Sequence, residues 1–206
     1  MITSGTLFII SAPSGAGKTS LVSALKEATP NISVSISHTT RPMRPGEEDG
    51  IDYHFVDEAK FENIVSTSGF LEKARVFSNF YGTDQNWVKT KLAEGKDVIL
   101  EIDWQGANQV RHLLPESISI FVLPPSRKAL ENRLRNRGQD EPAIIAQRLS
   151  EATEEMSHYT NADYLVVNDD FAMALTEIQA IITATRLASN KQKHRHHILL
   201  RNLLAK

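Results

Sequence analysis

Cysteine is absent from the chain, which removes disulfides, thiolate nucleophiles and cysteine-ligated zinc together. No apolar run approaches the roughly 18 residues that a membrane helix needs; the densest, Leu7 to Ile10, has the length of a strand. The amino terminus, Met1-Ile2-Thr3-Ser4-Gly5, has neither a cationic lead nor a long apolar segment and does not read as a secretion signal. An excess of one charge is lacking too. At a net charge of −2 the protein as a whole does not attract nucleic acid, and an anionic partner must be met by a local cluster. The expectation from these absences is a cytoplasmic chain with no membrane or nucleic-acid partner. What is present suffices for a core: hydrophobic residues make up 41% of 206 positions, enough for one compact domain with a smaller inserted lobe.

Four short runs rich in β-branched residues read as buried strands: Thr6 to Ser11, Asp97 to Asp103, Ser117 to Leu123 and Asp163 to Asn168. Helical stretches lie between and after them, the clearest from Phe171 to Leu187, with apolar residues at helical spacing. Strands alternating with helices predict an α/β fold with a mostly parallel sheet flanked by helices. The segment from Ile32 to Thr90 breaks this rhythm. Ile32 to Ser37 alternates apolar and polar residues as a half-exposed strand does, Tyr53 to Val56 reads as another strand, and Glu58 to Ser66 as a short helix. The expected division is a core over about 4–34 and 91–190, a small inserted mixed-β lobe over about 35–90, an arginine-rich lid over about 133–148, and a basic C-terminal helix over about 187–206. His194, His196 and His197 lie in that last segment, which reads as an amphipathic helix with a solvated face, or a self-association surface, rather than a metal site.

Ala12-Pro13-Ser14-Gly15-Ala16-Gly17-Lys18-Thr19 stands between the first strand and a helical pattern over Ser20 to Ala28. This is the P-loop pattern, with alanine where its first glycine usually stands. Gly15 and Gly17 free the backbone to aim successive N–H groups at phosphate oxygens, and the helix that follows adds the positive end of its dipole. Lys18 brings a charge to the β- and γ-phosphates, and the Thr19 hydroxyl is a ligand for Mg²⁺. The flanking strand and helix separate this from an ordinary glycine-rich turn, so the segment reads as a nucleoside triphosphate site.

Arg41 and Arg44 stand three residues apart among prolines that disfavour helix. In a polyproline-like conformation they project from one side, as two forks suited to a phosphate monoester. On spacing alone the segment reads at least as readily as a solvated charged loop. Glu72 alone reads as a surface charge at a helix end, and Arg133 and Arg137, four apart, read equally as a solvated basic face.

Ser37-His38-Thr39-Thr40-Arg41, continuing through Arg44, Gly46 and Glu47, resembles the signature of guanylate kinases. The likeness continues in order through Tyr53-His54-Phe55-Val56, Gly69-Phe70-Leu71-Glu72, Asn79-Phe80-Tyr81-Gly82-Thr83, Glu101-Ile102-Asp103-Trp104-Gln105-Gly106, Arg133-Leu134-Arg135-Asn136-Arg137-Gly138 and Val167-Asn168-Asp169-Asp170. It spans about residues 5–187 and looks closest to the bacterial form. The resemblance implies transfer of the γ-phosphoryl group of ATP, with Mg²⁺, to GMP and dGMP in purine nucleotide metabolism. It implies that Arg41, Arg44, Tyr53 and Tyr81 hold the GMP phosphate and that Ser37, Glu72, Thr83 and Asp103 surround guanine. It further implies that Arg133, Arg137 and Arg148 belong to a mobile lid reaching the ATP phosphates, with Asn168 beside the ATP site. Guanine presents N1–H and N2–H₂ donors side by side, which suits a carboxylate such as Glu72. The family usually has aspartate where Glu101 stands, which leaves open how Glu101 serves the GMP site and whether it holds a metal-bound water.

Three other readings stand beside this one. A regulatory GTPase shares the P-loop, and Asp103-Trp104-Gln105-Gly106 fits its Asp-x-x-Gly pattern, but the chain contains no Asn-Lys-x-Asp run. A monophosphate kinase for another base lacks support from the Arg41 to Glu47 signature and Glu72. A non-catalytic guanylate-kinase-like module characteristically loses the P-loop, whereas Lys18 and Thr19 are present here.

Overall fold

The computed structural model describes residues 4–76, 78–136 and 142–205. Along the chain, strand β1 (Leu7–Ser11) leads into α1 (Lys18–Ala28), β2 (Ile32–Val34), β3 (His38–Thr39), β4 (His54–Phe55), α2 (Glu58–Ser66), β5 (Phe70–Val76), β6 (Asn79–Asp84) and α3 (Gln85–Ala93). There follow β7 (Asp97–Glu101), α4 (Trp104–Leu113), β8 (Ile118–Leu123), α5 (Arg127–Asn136), α6 (Pro142–Ser157), a 3₁₀ turn at His158–Asn161, β9 (Tyr164–Val167), α7 (Phe171–Leu187), α8 (Ser189–Arg195) and α9 (His197–Leu204). None of these helices is long and apolar enough to cross a membrane.

Five strands form a parallel sheet in the order β2-β7-β1-β8-β9. The continuous apolar run of β1 follows from burial on both faces. Phe8 and Ile10 meet Leu21 and Leu25 of α1 and Ile178 and Ile182 of α7 on one side; Leu7 and Ile9 meet Val98, Leu100 and Val110 on the other. Phe8, Ile9 and Ile10 are fully buried, each contributing about 2 kcal/mol of transfer free energy. The site is mounted on the ends of these strands, so its backbone is held by the best-packed part of the molecule.

The second sheet, in the order β4-β3-β6-β5, is mixed: β3 pairs with β4 in parallel and with β6 antiparallel, and β5 pairs with β6 antiparallel. It does not float free of the core, because Leu71 of β5 is buried among Val98, Leu100 and Val110.

Several elements differ from the sequence expectations. The Ile32 to Ser37 run divides: Ile32 to Val34 forms the edge of the parallel sheet against β7, and the second sheet starts at His38. Alternation is the pattern an edge strand with one covered face should carry, and Ile32 and Val34 pack onto the core from there. The strand expected over Asp97 to Asp103 ends at Glu101, since Asp103 serves as N-cap of α4 and accepts the Gly106 N–H at 2.9 Å. The longest pairing of the second sheet, β5 with β6, was not expected as strands at all. The single C-terminal helix is two, α8 and α9, separated at His196.

Candidate active site

The loop between β1 and α1 turns on two residues, Gly15 at φ 89° and Gly17 at φ 93°, a region that side chains disfavour. Gly17 caps α1 with no side-chain hydrogen bond, so no capping oxygen occupies the first-turn N–H groups of the helix, the arrangement that suits an anion. A Cβ at Gly17 would lie 2.5 Å from Asn168 Nδ2. That amide is buried and donates to the Ala16 carbonyl at 2.7 Å. Arg133 braces the same place, donating from Nη2 to the Asn168 carbonyl at 2.8 Å and from Nη1 to the Ala16 carbonyl at 3.4 Å. Asn168, just past β9, and Arg133, on α5, thus clamp the loop backbone.

Two carboxylates meet this cationic loop. Glu101, at the end of β7, accepts from the Thr19 hydroxyl, and its Oε1 lies 3.3 Å from Lys18 Nζ. Glu155, on α6, accepts the Ser14 N–H at 3.0 Å, although burial pushes its carboxyl above the usual carboxylate range. Glu155 was missed by sequence reasoning. Within Glu151-Ala152-Thr153-Glu154-Glu155 it looks like one more charge on a helix face, and only the docking of α6 brings it to the loop.

In the second sheet, Arg41 pairs with Glu47 at 2.7 Å, and that hydrogen bond is the chief cause holding the guanidinium proton more firmly than usual. The guanidinium lies 5.3 Å from the Tyr53 ring centre, and Tyr53 meets Tyr81 edge-on at 5.9 Å. The Tyr53 hydroxyl is pushed up to about 12, by burial first and then by the negative charge of Glu101. Arg41, Tyr53 and Tyr81 therefore form one cluster, close enough to the phosphate loop for Glu101 to be felt. Arg44 is exposed, and its N–H donates to Glu47 Oε2 at 2.8 Å.

Glu72 is no surface charge. It lies on β5 and is 3% exposed, accepting from the Thr83 hydroxyl of β6 at 2.6 Å. Burial above all raises its carboxyl to about 7, the Thr83 bond opposes that rise, and the Asp103 charge adds to it. A Cβ on Gly106 would fall 2.5 Å from Glu72 Oε2, so α4 approaches the carboxylate through a residue without a side chain. Asp103 accepts from Gln105 Nε2 at 3.0 Å. Ser37 is half-buried, and its carbonyl accepts the His54 N–H at 2.9 Å.

Asp103 raises the carboxyls of both Glu72 and Glu155, so one charge links the pocket to the phosphate loop. A cleft of about 320 Å³ opens there, lined by Arg75, Val76, Asp103, Trp104, Gln105, Glu151, Glu154 and Glu155. Arg148 is half-buried on α6, and Arg137 lies outside the described residues.

The site thus combines a glycine-turned loop at the head of α1, an arginine–tyrosine cluster and a buried carboxylate. The family model described as guanylate kinase matches residues 4–185. The chain belongs to the guanylate kinase family. Among its relatives, the guanylate kinase of Saccharophagus degradans is 58% identical over 205 residues, covering 100% of both chains. That of Vibrio cholerae is 53% identical over 203 residues, 98% of each. The crystal structure of guanylate kinase from Anaplasma phagocytophilum superposes with a TM-score of 0.76 at 34% identity, covering 91% of this chain and 89% of that one. This family fold, a parallel sheet between helices with a second mixed sheet, is the architecture described above.

Proposed function

We propose that the protein transfers the γ-phosphoryl group of ATP to GMP, giving ADP and GDP, in cytoplasmic purine nucleotide metabolism. The observation that carries this reading is the position of Glu101. Its carboxylate touches Lys18 and Thr19 of the triphosphate loop while its charge reaches Tyr53 of the arginine–tyrosine cluster. That position supports a reading in which donor and acceptor phosphates meet beside Glu101.

In this reading residues 12–19 cradle the ATP phosphates, with Lys18 countering their charge. Arg41, Arg44, Tyr53 and Tyr81 hold the GMP phosphate in line with the donor. Phosphoryl transfer requires little covalent chemistry from the protein, so positioning and charge stabilisation supply the rate. Arg133, with Arg137 and Arg148, completes the positive surround when the lid closes. That movement requires Arg133 to leave the Ala16 and Asn168 carbonyls. The oxygen ligands at Thr19 and Glu101 suit Mg²⁺, a hard cation that takes one or two protein oxygens plus phosphates and retains waters. Thr19 would hold it, with Glu101 through a water, and its charge would neutralise the β- and γ-oxygens.

Glu72 reads the base. Its ionised carboxylate accepts from guanine N1–H and N2–H₂, with Ser37, Thr83 and Asp103 around it. Adenine sets an N1 lone pair against the same carboxylate, and a site built for a donor rejects its absence by on the order of 10⁴-fold.

A coupled assay of ADP release with ATP and Mg²⁺, offering GMP, dGMP, AMP, UMP and dTMP in turn, tests this reading. Turnover is expected with GMP and dGMP, and at least roughly 10³-fold less with the others. Equal turnover of AMP, or none with GMP, would refute it.

A further inference from the structure

Strand β5 is an edge of the second sheet: β6 pairs with one side of it, and among the described residues no strand covers the other. At Lys73, which follows the buried Glu72, that open edge is covered by a side chain. Gln109 of α4 accepts the Lys73 N–H on Oε1 at 3.1 Å and donates from Nε2 to the Lys73 carbonyl at 2.7 Å. A carboxamide satisfying both backbone groups of one residue imitates a neighbouring strand and fixes that residue in two directions at once. The same Nε2 lies 3.3 Å from the Gln105 carbonyl one turn earlier, so the amide is itself oriented by the helix. Gly106, three positions before Gln109 and on the same face, leaves the space into which the Glu72 carboxylate fits.

We propose that Gln109 is a positioning residue for guanine recognition: by clamping the Lys73 backbone to α4 it holds the neighbouring Glu72 carboxylate over Gly106, at the height the base requires. The inference rests on the reading of Glu72 as the base-reading group. It follows from geometry, because Glu72 stands on a strand edge whose register is irregular between Phe70 and Glu72. At such a place the pairing with β6 alone does not specify how far the strand sits from α4. Gln109 supplies that distance. Among the described residues its hydrogen bonds go to Lys73 and Gln105 and not to the phosphate loop, so its effect belongs to GMP and not to ATP.

The test is a double-mutant cycle of Gln109→Ala and Glu72→Gln, read as KM for GMP, KM for ATP and kcat. Gln109→Ala should raise KM for GMP roughly tenfold, the scale of a small misplacement of a recognition group, with KM for ATP unchanged and kcat altered far less. In the Glu72→Gln background the same substitution should add less than about twofold, because the group it positions has already lost its charge. An unchanged KM for GMP in Gln109→Ala, or an equal loss in both backgrounds, would overturn the positioning role while leaving Glu72 as the base reader. A Glu72→Gln enzyme that keeps the parental preference for GMP over AMP would overturn both. Gln109→Glu, which keeps an acceptor for the Lys73 N–H but loses the donor to its carbonyl, replaces the alanine variant if circular dichroism shows that variant unfolded. It should give a smaller rise in KM for GMP with the same non-additivity, and an additive rise would again overturn the role.

Discussion

At the phosphate loop the groups that face the ligand belong mostly to the backbone, shaped by Gly15 and Gly17 and mounted between the buried strand β1 and helix α1. Around Glu72 they are side chains, borne on a short mixed sheet that meets α4 through Gly106 and is tied to it by Gln109. Backbone N–H groups do not titrate, and their direction is set by dihedral angles, so the loop's own donors persist at any ordinary pH, although Glu155 against Ser14 is a carboxyl that burial raises. The second depends on a carboxyl raised to about 7. A nucleotide's phosphates carry no base identity and are met by a generic, rigid cradle. In the proposed reading its base is met by a buried charge that the fold tolerates at some cost in stability.

The largest expected effect is at the cradle. Lys18→Met should lower kcat/KM by about 10³-fold or more, the scale of removing a charge from the transferring phosphoryl group. The unfolding free energy should change by less than about 1 kcal/mol, since the lysine's ionic contact among the described residues is a partly exposed pair with Glu101. Turnover within tenfold of the parent would contradict the loop's assignment. Arg41→Ala comes next: a loss of roughly 10–100-fold in kcat/KM, the value of charge-assisted bonds to phosphate, equal for every nucleoside monophosphate tested. A loss confined to GMP would erase the division between phosphate holding and base reading.

The pH contrast is the sharper comparison. With the ionised Glu72 carboxylate as the proposed acceptor, kcat/KM for GMP should fall about tenfold per unit as pH drops below about 7. ATP binding, measured by fluorescence titration, should not share that midpoint. The same carboxyl affects stability with the opposite sign. Its folded pKa is raised from 4.5, so between about 4.5 and about 7 the native state binds more protons than the unfolded one, and stability falls as pH rises through that window. Glu72→Gln should accordingly be more stable than the parent at pH 8, by up to about 3 kcal/mol, and near parity at pH 4.5. Urea unfolding of both proteins at the two pH values measures this, and equal stabilities at pH 8 would argue against a strained, buried charge.

The smallest effects separate two glycines. Gly17→Ala meets both a left-handed φ and the Asn168 amide and should cost roughly 2–3 kcal/mol in urea unfolding. Gly46→Ala, in the second region, has φ 87° but nothing within 4 Å of its Cβ and should cost roughly 1 kcal/mol. Equal losses would mean that the loop is no more tightly enclosed than an exposed turn.

The same contrast governs what was legible in the sequence. The cradle announces itself, because glycines, a lysine and a hydroxyl must stand at fixed spacing between an apolar strand and a helix. Helix α7 was equally plain, its periodicity running from Phe171 to Leu187 without a break. The residues proposed to surround guanine carry no such local signature. Glu72 is a buried residue whose type belongs on surfaces, so on β5 it interrupts the alternation that should have identified a strand, and only the resemblance to guanylate kinases singled it out. Glu155 and Gln109 were invisible for a different reason. Their partners, Ser14 and Lys73, lie far away in the chain, and no pattern within a helix encodes what its neighbour needs.

The division of labour between a backbone cradle and a side-chain reader is tested most directly by one ratio, kcat/KM for GMP over kcat/KM for AMP, in Glu72→Gln at pH 8. The substitution keeps the shape of the side chain, removes its charge and leaves residues 12–19 untouched. The expected result is a loss of roughly 2–4 kcal/mol in transition-state binding of GMP with ATP affinity unchanged, so that the ratio collapses. A ratio that stays at the parental value would show that guanine is chosen elsewhere and that the buried carboxylate serves the fold alone.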